Sequence, residues 1–148
     1  MKINSQNIKQ YFEFSNSLDL ITKENITAVV LPLNIETDNQ LFRIYASLIQ
    51  GICGPFGDNW NALMDALRGF DLLDYRLKEI VIFHQDIPMF EDKKSLQIYI
   101  DCLIFCEDFW KIEKKGAIRK LKIVFPLETK NKILEIMKDY EIDLPGKD

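Results

Sequence analysis

No stretch of the chain carries the roughly 18 uninterrupted apolar residues of a membrane-spanning helix, and no such span is expected. The opening residues, MKINSQNIKQ, lack the apolar run of a secretory leader, so a soluble cytoplasmic protein is expected. Cysteine is scarce: three residues, an odd number at no paired spacing, suit a reducing compartment and argue against a disulfide framework. Positive charge is in deficit as well. Nineteen Lys and Arg against 23 Asp and Glu leave a net charge of −4, which disfavours partners such as nucleic acid or an anionic membrane surface. Histidine occurs once, at His84. Internal repeats, low-complexity tracts and long linkers are absent too.

What remains is the material of one ordinary domain. A chain of 148 residues, 47% apolar and 28% charged, with ten Phe, five Tyr and two Trp, builds a core without a metal, cofactor or disulfide staple. Residues 26–32 (ITAVVLP), 79–84 (EIVIFH) and 118–126 (IRKLKIVFP) are short β-branched apolar runs, the mark of buried strands. Between them lie segments of helical period. Residues 39–50 place Leu41, Ile44, Tyr45 and Leu48 on one face. Residues 58–69 place Trp60, Leu63, Ala66 and Leu67 on another, with Asp58 as N-cap and Gly69 as a left-handed stop. A long helix runs from Asp92 to about Lys115. Strands joined by helical crossovers run parallel. The expected fold is therefore α/β: a small three-stranded parallel sheet with packed helices, over residues 26–126. Residues 1–25 are expected to add an N-terminal helix, with Ile8, Tyr11 and Phe12 on one face. Residues 127–148 add a C-terminal helix, with Ile133, Leu134, Ile136, Met137 and Tyr140 inward.

The long helix is apolar on more than one side. Leu96, Tyr99, Leu103, Cys106 and Trp110 form one stripe, and Ile98, Cys102, Phe105, Phe109 and Ile112 a second. Lys94, Gln97, Asp101 and Asp108 leave only a narrow polar seam. Such a helix must be covered twice. The terminal helices are the expected cover, which favours a monomer over a dimer.

The most informative stretch is PFGDNWNALMDALRGF, residues 55–70. It resembles the signature of the barstar family of ribonuclease inhibitors, in which an aromatic-Gly-acid-Asn loop leads into a helix of the form L-D-A-L-W-D-A-L-x-G. Phe56, Gly57, Asp58, Asn59, Ala62, Leu63, Asp65, Ala66, Leu67 and Gly69 fit in register. The resemblance implies a non-enzymatic protein whose helix plugs the active site of a small basic ribonuclease or nuclease toxin domain, Asp65 standing in for the substrate phosphate. It implies contacts from Phe56, Asp58, Asn61, Met64 and Arg68 around Asp65. The pattern Leu96-Gln97-Ile98-Tyr99-Ile100-Asp101 resembles the family's LQVFRE, which makes Asp101 a second candidate contact. The chain also departs from the family: its first helix acid is Asn61, its exposed Trp is Met64, and the aromatic before Phe56 is Pro55. The residues agree independently. Between 54 and 75, four acids (Asp58, Asp65, Asp71, Asp74) stand against one cation, Arg68. With Trp60, Leu63 and Leu67 inward, Asn61, Met64, Asp65 and Arg68 point out.

Other features have plainer readings. His84, at a strand end, is a conceivable general base for a small hydrolase, but no nucleophile accompanies it. Cys102 and Cys106 share a helix face, where, with Cys53 and His84, they offer four metal ligands or simply fill core positions. The basic run 111–122 complements a helix C-terminus and flanks an edge strand. The alternative to an inhibitor is an interaction or regulatory domain of the same fold with a non-nuclease partner.

Overall fold

The computed structural model describes residues 2–17, 26–53, 57–69, 79–113, 120–138 and 140–144. At its centre β3 (Ile26–Leu31), β4 (Glu79–His84) and β5 (Lys120–Phe125) run parallel, β4 between the other two. The register pairs Val29 with Ile82 and Ile82 with Ile123. These are the three strands expected from the apolar runs. On one face Val29, Leu31, Ile80, Ile82, Leu121, Ile123 and Phe125 join the main core. On the other, Val81, Phe83 and Val124 form a smaller cluster with Ile26 and Val30. Every residue of β4 after Glu79 is buried, as befits an inner strand. In β3, an edge strand, only Val29 and Leu31 are buried.

The chain ends correct the expectation. Residues 8–10 make a single 3-10 turn, and Phe12–Phe14 form a strand, β2, where an amphipathic helix was expected. This strand lies parallel to β5, pairing Phe12 with Ile123 and Phe14 with Phe125, so the sheet has four strands in the order β2-β5-β4-β3. Phe12 and Phe14 both pack on Phe125, which rewards alternation, period two, over a helical period. Consequently β5 is an inner strand. Its Lys122 is balanced by Glu13 at 3.6 Å and Glu79 at 3.3 Å, one acid from each neighbouring strand, and does not guard an edge. At the other end, α4 (Lys130–Met137) buries Ile133 and Met137. Beyond it β6 (Ile142–Asp143) pairs antiparallel with β1 (Lys2–Ile3), tying the two ends of the chain together.

Three helices pack on the main core: α1 (Asp38–Cys53), α2 (Trp60–Arg68) and α3 (Lys93–Glu113). In α1 the buried face is Leu41, Phe42, Tyr45 and Ile49, while Leu48, expected inward, is 41% exposed. The stripe is turned by about one residue, so Ile49 takes the place expected for Leu48. Asp92 accepts a hydrogen bond from the amide of Ser95 at 3.2 Å and starts α3. The polar seam of α3 is open at Lys94 and covered further along. Tyr140 donates to the Gln97 carbonyl at 3.1 Å, and Tyr11 donates to Asp108, which is buried. The terminal segments thus cover the seam from Gln97 to Asp108. Of the second stripe Cys102 is buried, whereas Ile98, Phe105 and Phe109 stay half-buried along the outside of α3; Ile112 lies outside the side chains described. No helix among the described residues is long and apolar enough to cross a membrane.

Candidate partner-binding site

The site is built on α2, a helix of nine residues, and local chemistry fixes where it begins. Asn59, in an extended conformation, accepts from the amide of Ala62 at 2.8 Å through Oδ1. The cap is therefore Asn59, one residue later than expected, because only there does the amide oxygen reach the third amide of the helix. Asp58 stays exposed beside it. At the far end Gly69 has φ −95°, so the stop is not left-handed; its amide instead closes on the carbonyls of Asp65 and Ala66.

Burial then fixes which face points outward. Leu63, Ala66 and Leu67 are buried, and Trp60 packs edge-on against Phe42 with centroids 4.9 Å apart. Two polar contacts clamp α2 to α3: the indole of Trp110 donates to the Leu67 carbonyl at 3.1 Å, and the thiol of Cys106 to that of Met64 at 3.7 Å. What is left outside is Asn61, Asp65 and part of Arg68, with the Asp65 side chain 73% exposed. Met64 departs from the expected outward position: it is half-buried and packs against the core, because its turn of the helix leans on α3. Arg68 donates to the Asp65 carboxylate at 2.6 Å. Its guanidinium carbon lies 5.6 Å from the centroid of the Phe109 ring.

Of the remaining candidates, Phe56, Asp71 and Asp74 lie outside the described residues. Asp101 is not brought to this face. At 100° per residue, Cys106 and Trp110, which hold α2, sit on the flank of α3 opposite Gln97, Asp101 and Asp108, which meet the terminal segments. Burial raises the Asp101 carboxyl above its usual value, and a hydrogen bond with Tyr140 partly offsets this. The resemblance over residues 96–101 could not foresee that partner, which lies some forty positions away.

His84 is fully buried, and both ring nitrogens are engaged. Nδ1 meets the Val124 carbonyl at 2.8 Å, and a carbonyl only accepts, so Nδ1 carries the proton. Nε2 therefore accepts from the Tyr99 hydroxyl at 2.7 Å, and the Tyr99 oxygen in turn accepts from Tyr45. The ring stacks on Phe125 with centroids 4.0 Å apart. Burial pushes its pKa down to about 4. This is a neutral, buried structural linker between β5, β4, α3 and α1. The thiol of Cys106 is held well above its ordinary value by its hydrogen bond with Cys102 and by burial, so it is not a ready nucleophile. Among the described residues no cluster of His, Cys, Asp and Glu could hold a metal; the side chain of Cys53 lies outside them.

In the sequence the half-buried Phe109 beneath Arg68 is legible only as part of an apolar stripe. Its place in the site came from the way α2 packs, a tertiary contact that leaves no local mark. Comparison with known families adds the last observation. The family model described as Barstar (barnase inhibitor) matches residues 32–125. Neither curated proteins nor solved structures gave a significant match. The matched segment runs from the end of β3 to the end of β5, spans well over half of the sequence and includes α2, so the chain belongs to the barstar family.

Proposed function

We propose that this chain inhibits a small basic ribonuclease by inserting the outward face of α2 into its active site, with Asp65 in the place of the substrate phosphate, and so protects the cell that makes the nuclease. The observation that carries the reading is the exposed Asp65 carboxylate on a helix fixed by its cap, its buried face and two side-chain clamps. A nuclease site gathers Arg, Lys and His around an anion. A carboxylate offered on a rigid support gains charge-assisted hydrogen bonds there with little ordering cost. Asn61, one turn earlier on the same face, adds neutral hydrogen bonding, and Asp58 adds charge at the loop. Asp101, on the opposite flank of α3, has no part in the plug. The protein acts as a cytoplasmic binding partner, without a cofactor and without chemistry of its own.

Barnase, named in the family description, is the first probe. Asp65→Ala should weaken its inhibition at least about thirtyfold, or about 2 kcal/mol, as for a desolvated charge at an interface centre. Thermal stability should move by no more than about 0.5 kcal/mol, since the position is exposed. Equal inhibition by wild type and Asp65→Ala would remove α2 from the interface. A second reading, a non-nuclease protein partner, draws on one observation: Arg68 already neutralises Asp65 in the free protein. Its mark would be a chain that leaves ribonucleases active and binds another protein through the same face.

A further inference from the structure

We infer that Arg68 is a specificity-determining residue, which keeps Asp65 from lone cations and yields it only to a site where several cations converge. The inference rests on the reading of α2 as the inhibitory helix and adds a selecting residue to it. Two elements hold Arg68 in place: Nη2 lies 2.6 Å from Asp65 Oδ1 on α2, and the guanidinium carbon lies 5.6 Å from the centroid of Phe109 on α3. The Arg68 side chain is 38% exposed against 73% for Asp65. The guanidinium is therefore the anchored member, and the carboxylate is the member that faces an incoming partner.

The consequence is a competition. A single surface lysine offers one charge to a carboxylate that already holds a charge-assisted hydrogen bond, and it must also approach a fixed cation. It gains little by the exchange. A cluster of three or more cations, arranged for a phosphate, offers several bonds at once and repays the eviction of Arg68. Arg68 thus raises the threshold for binding, which is how unwanted partners are excluded. The ordinary alternative is that Arg68 only steadies the last turn of α2 through the helix dipole and its spacing from Asp65. That role alters helix stability and leaves partner preference unchanged.

The test uses the full chain in four forms: wild type, Arg68→Ala, Asp65→Ala and the double variant. The probe for a lone cation is a short, otherwise uncharged peptide carrying one lysine, at low salt, followed by chemical-shift titration. An exposed ion pair is worth up to a factor of about five, so Arg68→Ala should bind the peptide at least about threefold more tightly than wild type. In the Asp65→Ala background the same change should give no more than the small gain of one lost positive charge. A threefold gain that persists without Asp65 is a net-charge effect and overturns the inference, as does the absence of any gain. Inhibition of barnase by the same four proteins separates the two levels. If Asp65→Ala inhibits as wild type does, the α2 reading fails, whatever the peptide shows.

Discussion

At the scale of single residues, His84 shows how burial decides between chemistry and structure. Its ring is held neutral by a chain of hydrogen bonds whose direction is fixed by the Val124 carbonyl. Protonation would force Nε2 to donate to Tyr99, turn the Tyr99 proton towards Tyr45 and leave the Tyr45 proton without that acceptor. In the unfolded chain the imidazole takes up its proton near 6.5, whereas in the folded chain it waits until about 4. The folded state binds fewer protons in that window. The stability His84 contributes is thus complete above about pH 6.5 and is lost as pH falls towards about 4, by roughly 3 kcal/mol in all. Urea unfolding from pH 7.5 to 4 should show that loss, and His84→Leu, less stable at neutral pH, should show a shallower dependence. An unchanged pH profile in the variant would assign the acid sensitivity to other groups. The sequence offered this histidine as a conceivable base at a strand end. What it could not display was the carbonyl forty residues away that closes the ring off.

At the scale of elements, α2 was the most legible part of the chain, because a short amphipathic helix carries its cap, its period and its stop within a dozen residues. Leu63, Ala66 and Leu67 are buried as their spacing requires, and Asp65 points out. Two details differed: the cap is Asn59 and not Asp58, both competent by type, and the stop falls at Gly69 as expected but without the left-handed backbone. Asn59→Ala should lower stability by about 1 kcal/mol, the usual worth of such a cap, and Asp58→Ala should not. Chemical denaturation of both variants measures the difference directly. The α1 face was legible to within one residue. Along α3 the polar seam was visible, but not what lies over it, since Tyr11 and Tyr140 reach it from opposite ends of the chain.

At the scale of the whole molecule, the family segment and the chain ends play different parts. The strands β3, β4 and β5 were legible because each concentrates β-branched and other apolar residues in a short run. The fourth was not, because three residues, Phe12–Phe14, are too few to display a period and lie beside a segment that also suits a helix. The β1–β6 ribbon, two residues on each side, is stabilised by contacts no local pattern announces: Ile3, Ile142 and Leu144 are all buried in the main core. These ends sit on the flank of α3 away from α2, so scaffold and binding face can be separated by experiment. Deleting residues 138–148 removes the burial of Ile142 and Leu144 and strips Tyr140 from Gln97. Each apolar side chain is worth about 1.5–3 kcal/mol, so the loss of stability should reach at least about 3 kcal/mol. At temperatures where the shortened chain stays folded, its inhibition of barnase should match that of the full chain, because α2, its cap and its clamps are untouched. Urea unfolding and inhibition, measured on the same preparation, check both halves. A shortened chain of unchanged stability would mean the ribbon is not part of the core, and a folded one with weakened inhibition would mean the partner touches the terminal flank as well as α2.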